Sequence, residues 1–150
     1  MVLIAAWAVS ASLATGAVAW TAVGDGIPAP LAGQQGDAAR GAALVADRAK
    51  SLCLLCHQAA VVGPHAPAAL QGTLSTDLRG AGTRWSAAQL RLRVADSRRL
   101  NPASLMPTLH AAAPSAADEA EARVGAAWRG QRVLSAQELE DIVAWLETQR

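Results

Sequence analysis

Cys53-Leu54-Leu55-Cys56-His57 gathers both cysteines and one of the three histidines of this 150-residue chain into five positions. Two thiols three residues apart on a helical turn share a face, a spacing that suits thioether bonds to the two vinyl groups of one haem, and the following histidine is then placed to ligate the iron. Rival readings fit less well. Tetrahedral zinc needs more ligands than Cys53, Cys56 and a histidine readily give, and adjacent Cys56 and His57 would have to chelate one ion. A thioredoxin-like dithiol calls for βαβ surroundings, which the sequence lacks. A disulfide is geometrically possible in an oxidising compartment but leaves His57 without a role. The motif therefore predicts one covalently bound haem c, attached through Cys53 and Cys56, with His57 on the iron.

Composition supports a bulky prosthetic group. The chain is 52 % apolar and 17 % charged, the balance of one globular domain, yet it holds five Trp and no Phe or Tyr. Large rings that usually fill a small core are scarce, and a porphyrin would supply what they do not. A formal charge of +1 sets up no field that would draw the protein onto nucleic acid, and no block of like charges forms a binding tail.

Outward from the motif, residues 1–23 contain the uncharged run Val2 to Trp20 with the small-residue site Ala17-Val18-Ala19, and read as a signal peptide or an N-terminal anchor that takes the protein to the periplasm. Residues 24–36, rich in Gly and Pro, read as a flexible leader. The folded domain is then expected over 37–150. Asp37 is placed to cap a helix running towards Lys50. Ser86-Ala-Ala-Gln89 and Ser135-Ala-Gln-Glu138 are capping boxes, with Trp85 and Leu90, and Leu134 and Leu139, as their hydrophobic staples. Leu139, Ile142, Val143 and Leu146 mark one face of the last helix, which should end near Gln149. Strand signals are nearly absent. The expected fold is all-α, with three to four short helices around one covalently attached haem.

The sixth iron ligand has three candidates, Met106, His65 and His110. Met106 is preferred: it is the only methionine besides the initiator, and Pro107 stiffens the loop behind it. His65 lies too soon after His57 to reach the opposite haem face easily. His110 is the rival, and the bland alternative for both histidines is an exposed side chain. Met106 has its own bland alternative, a core filler.

From residue 36 to 149 the chain resembles class I cytochromes c and, within them, the SoxX family of monohaem subunits of SoxAX thiosulfate-oxidising complexes. The resemblance lies in Asp37-Ala-Ala-Arg40-Gly41, in Arg84-Trp85-Ser86, in Asn101-Pro102 leading to Met106-Pro107, and in Trp128-Arg129-Gly130 before Asp141-Ile142-Val143-Ala-Trp145. It implies a His57–Met106 axial pair, a heterodimer with SoxA, and oxidative coupling of thiosulfate to a cysteine of the carrier SoxY, with electrons passed on to a downstream acceptor cytochrome. The chain would be the non-nucleophilic subunit of an L-cysteine S-thiosulfotransferase, since both its thiols are consumed as thioethers and none is left to attack. The alternative is a free periplasmic class I electron shuttle with no sulfur-oxidation partner.

Two departures from the class I pattern stand out. Where a Gly-Pro pair usually orients the proximal imidazole, this chain has Ser75-Thr76, so the Thr76 carbonyl is expected to accept from His57 Nδ1. Leu109-His110 also replaces the aromatics that tend to follow the methionine. Arg84, Trp85, Arg98, Arg99 and Asn101 are expected around the haem, where they can bond its propionates or the Met106 loop; for the arginines the plain alternative is a solvated surface. Gly41 is expected to let the first and last helices cross beneath Trp145, and Trp128-Arg129 to meet a partner or the core.

Overall fold

In the computed structural model, which describes residues 19–60, 66–111 and 132–150, five α-helices follow in order: α1 (Ala38–Ala46), α2 (Cys53–Cys56), α3 (Ala81–Arg84), α4 (Ala87–Asp96) and α5 (Ala136–Thr148). Two 3₁₀ turns, Ala68–Leu70 and Ser97–Arg99, lie between them. Among the described residues β-pairing is confined to one isolated bridge between Val23 and Gly26. The fold is all-α, as the sequence predicts. Trp128, Arg129, Gly130 and His65 lie outside the described residues.

Each long helix begins where its cap says it should. The Asp37 carboxylate accepts from the Arg40 N–H at 2.8 Å, and both capping boxes, Ser86 with Gln89 and Ser135 with Glu138, are complete. α1 stops at Ala46, short of the expected Lys50, because Asp47 turns the chain and its carboxylate accepts from the Ala49 and Lys50 N–H groups.

The core is assembled chiefly by α1, α4 and α5. Val45, Leu90, Leu139, Ile142 and Val143 are all but sealed from solvent. α1 and α5 meet at Gly41, where a Cβ atom would stand 1.9 Å from the Asp141 carbonyl oxygen and 2.8 Å from the Trp145 Cβ. Only glycine permits that approach.

Asp141 ties the crossing electrostatically. Its buried carboxylate accepts from Arg40 Nε and Nη2 at 2.8 and 2.9 Å, from the Asp37 N–H at 2.8 Å and from Gln137 Nε2 at 3.0 Å. The Arg40 guanidinium, followed by these N–H donors, holds the carboxyl below the usual carboxylate range. A depressed native pKa stabilises the fold above the unfolded carboxyl's pKa near 4, and that contribution is lost as pH falls through the native value. Asp141→Asn should therefore cost about 1–2 kcal/mol at pH 7, kept modest because solvent screens half-exposed Arg40. Urea unfolding should show the gap from wild type shrinking as pH drops below about 4.

The segment expected to be a flexible leader is part of the folded structure. Residues 24–36 pack against the helices, and the folded region reaches back at least to Trp20, not to residue 37. Ile27 and Leu31 are buried in the core; the Ile27 N–H donates to the Ala88 carbonyl at 2.9 Å. The Leu31 N–H donates to Glu140 Oε1 at 2.8 Å, and Arg91 Nε holds the same carboxylate at 2.9 Å. Gly and Pro here shape a fixed path instead of a mobile one: Gly24, at φ +59°, makes a tight turn closed by paired Val23 and Gly26 bonds, and the prolines restrict the chain beyond it.

Candidate functional site

The cysteines sit on a single helical turn. Leu52 takes the left-handed conformation (φ 59°) that swings the chain out of the Asp47–Ser51 turn into α2. Leu54 then anchors that turn by burying its side chain completely. Cys53 and Cys56 begin and end α2 and are not bonded to each other. Burial pushes the Cys53 thiol above its ordinary pKa, so as a free thiol it would be a poor nucleophile.

A second strip of chain runs along the motif. The Gly72 N–H donates to the Leu54 carbonyl at 2.8 Å, Ser75 to Cys56 at 2.9 Å and Leu78 to Gln58 at 2.8 Å. Gly72 makes the approach possible, since a Cβ there would lie 2.0 Å from the Leu55 carbonyl oxygen. These bonds fix the strip that carries Thr76, whose carbonyl accepts from His57 Nδ1 at 2.6 Å. The stiffness that a proline would supply comes from the backbone bonds on either side. With Nδ1 engaged, Nε2 is the nitrogen left for a metal.

His57 opens onto a cavity of about 330 Å³. Its walls are Val45 from α1, Leu90 and Val94 from α4, and Ile142 and Leu146 from α5, and Cys53, His57 and Met106 all reach it. Cys56 does not line it. The Met106 loop is bonded back to α4: the Leu109 and His110 N–H groups both donate to the Ala95 carbonyl at 3.0 Å, and Thr108 donates to Asp96 at 3.1 Å. The Ser104 hydroxyl accepts from the Met106 N–H at 3.2 Å.

His110 is placed differently from either expectation. It is absent from the cavity wall, and it is fully buried, not exposed. Its Nδ1 donates to the Leu134 carbonyl at 2.8 Å, and its Nε2 has no hydrogen-bond partner among the described residues. Burial pushes its pKa down, which keeps the ring neutral.

Of the polar residues expected near the haem, Thr76, Trp85 and Asn101 line the cavity and Arg84, Arg98 and Arg99 do not. Arg84 donates to the carbonyls of Arg79 and Asp77, ordering the turn before α3. Arg99 pairs with Asp96 at 3.7 Å and Arg98 is exposed. The arginine on the wall is Arg93, whose guanidinium, like that of Arg84, lies 4.8 Å from the Trp85 ring centroid. A signal for it was present: Arg93 lies one turn after Leu90 and beside Val94, on the edge of the buried face of α4.

Among the described residues no three His, Cys, Asp or Glu side chains converge as a metal site. No helix among them is long and apolar enough to cross a membrane.

An apolar cavity lined by Cys53 and His57 of a Cys-x-x-Cys-His turn and by Met106 of a second loop is the arrangement of a c-type haem protein, and these residues fit that group. The sequence matches the cytochrome c family over residues 38–150, and the chain belongs to that family, with a class I cytochrome c-like fold. Membership implies a c-type haem. Among solved structures it is similar to a chain of SoxXA from P. pantotrophus, with 30 % identity and a TM-score of 0.68, over 86 % of this chain and 93 % of that one. No curated protein sequence matches it.

Proposed function

We propose that this chain is a periplasmic monohaem cytochrome c that accepts electrons as the SoxX-type subunit of a SoxAX complex, in which thiosulfate is joined oxidatively to a cysteine of SoxY. The observation that carries this reading is the placement of His57 and Met106 on one apolar cavity, in a chain similar to one of SoxXA over nearly all of that chain's length. Cys53 and Cys56 would hold the haem as thioethers, His57 Nε2 and the Met106 sulfur would ligate its iron, and the Thr76 carbonyl, accepting from Nδ1, would keep the imidazole oriented. Thr76, Trp85, Arg93 and Asn101 form its polar surroundings. The bound haem supplies one-electron chemistry at iron. Neither thiol remains free, so the bond-forming cysteine belongs to SoxA and not to this chain.

A partner is supported by the surface beside the motif. Leu52, Leu55, Leu74 and Leu105 stand exposed, next in sequence to the haem-attachment turn, to the Thr76 strip and to Met106. Exposed apolar side chains at these positions suit contact with a partner near the site.

Co-expression with a SoxA in a host that matures c-type cytochromes tests the reading. The two chains should co-elute, and thiosulfate with SoxY should reduce this chain's haem. Separate elution with no reduction would instead mark a free electron shuttle. Met106→Ala should abolish the methionine-to-iron charge-transfer absorption and lower the reduction potential, because a softer ligand that favours the reduced iron is removed. An unaltered spectrum would move the sixth ligand away from Met106.

A further inference from the structure

We propose that Trp20 is a positioning residue for Met106, a latch by which the N-terminal segment holds the ligand loop closed. Its indole, only 8 % exposed, donates from Nε1 to the His110 carbonyl at 3.0 Å, joining residues 90 apart in sequence. The Arg99 guanidinium lies 5.3 Å from the centroid of the same ring. Arg99 belongs to the 3₁₀ turn that enters the Met106 loop and His110 to the stretch that leaves it. One side chain therefore bridges the two ends of the loop.

The other ties on this loop come from its own neighbourhood in the fold. Leu109 and His110 bond α4 at Ala95, Thr108 bonds Asp96, and the Leu134 N–H donates to the Leu109 carbonyl at 3.0 Å. Among the described residues, the Trp20 bond is the one hydrogen bond to this loop that comes from the segment before α1, and Trp20 lies outside the stretch, 38–150, that matches the cytochrome c family. A thioether ligand is held as much by its loop as by its bond to iron, so ties that close the loop favour the bound state over an open one.

The latch also constrains export processing. Ala17-Val18-Ala19 ends one residue before Trp20. Cleavage after Ala19 keeps the indole, whereas cleavage after Val23, the far limit of the predicted export segment, removes it.

The proposal rests on Met106 being an iron ligand, and its test separates the two claims. In the oxidised holoprotein, the methionine-to-iron charge-transfer band is followed against pH in Trp20→Phe, which keeps ring packing but loses the N–H, and in Trp20→Ala. The band should disappear at a pH about one unit lower in Trp20→Ala, a tenfold easier opening, and by about half a unit in Trp20→Phe. Leu31→Ala, a core change in the same segment that keeps its backbone bond to Glu140, should lower thermal stability and leave that midpoint in place. Trp20 variants that shift it no further than Leu31→Ala overturn the latch, and Trp20→Phe carries the test if Trp20→Ala fails to mature. N-terminal sequencing of the exported protein should find Trp20 retained, and a start at Gly24 overturns the proposal outright. Should the unaltered protein lack the band, the Met106 assignment falls, and amide exchange at Leu109 and Leu134 decides the latch alone: faster in Trp20→Phe if it holds the loop, unchanged if it does not.

Discussion

Replacing Cys53 and Cys56 together by serine should give a chain that carries no covalent haem and accumulates at a small fraction of the wild-type level in the periplasm. Haem staining on a denaturing gel and the yield of folded protein measure the two effects. Without thioethers, haem can be held only through His57 and Met106, and it is lost when the fold opens. The cavity left among Leu90, Val94, Ile142 and Leu146 measures about 330 Å³. At about 24 cal/mol per Å³ a dry cavity of that size costs ~8 kcal/mol, comparable with the whole stability of a typical domain, about 5–15 kcal/mol. Water entering from the open side lowers the penalty without restoring the apolar contacts. Single variants retain one thioether and should lose less. A double variant that is colourless, folded and as heat-stable as the parent would show that the cavity needs no prosthetic group, and the reading of the site would fall with it.

Local signals explain which parts of this architecture could be read in advance. Capping boxes are written in four consecutive residues, so Ser86 and Ser135 announced α4 and α5 correctly. The haem motif is equally local, and its five residues led to the turn that carries Cys53 and Cys56. The N-terminal segment is not legible as folded because its anchors are distant: Leu31 is fixed by Glu140 and Ile27 by Ala88, partners that no window of nearby residues reveals. Glycine and proline then look like slack when they in fact define a path. His110 shows the same limit. Its burial depends on Leu134 and on the indole of Trp20, so neither an exposed histidine nor a ligand follows from its place four residues after Met106. Arg93, not Arg84, Arg98 or Arg99, reaches the cavity because helical phase places a side chain more surely than proximity in sequence to Trp85 and Asn101.

The site is held less by any one residue than by strips of backbone locked to the helices. His57 depends on Thr76, and Thr76 on the bonds of Gly72, Ser75 and Leu78 to the motif itself. Met106 depends on Ala95 and Asp96 at the end of α4. The methionine segment thus takes its position from α4 and the histidine segment from α2 and the strip bonded to it, while α1, α4 and α5 supply the cavity walls, so disturbing their packing should reach the site without touching its ligands.

Gly41→Val is the sharpest test of that dependence. Even the first added carbon would sit 1.9 Å from the Asp141 carbonyl oxygen and 2.6 Å from its carbonyl carbon, both backbone atoms that no rotamer change can move. The helices must separate, and overpacking of this kind, compounded by loosened bonds from Arg40 and Asp37 to Asp141, should cost about 4 kcal/mol or more. For a domain of this size that lowers Tm by about 15 °C. Gly41→Ala meets the same two atoms and should lose roughly half as much. The effect extends to the site, because Val45 on α1 and Ile142 and Leu146 on α5 are cavity walls as well as neighbours of the crossing. As α5 moves away from α1 the walls part, the pocket admits water, and the methionine-to-iron band should weaken at temperatures well below unfolding. Thermal scans of the holoprotein followed both by helical circular dichroism and by that band check the coupling. Were Gly41→Val to melt within about 2 °C of the parent, the close helix crossing would not be what positions this haem site.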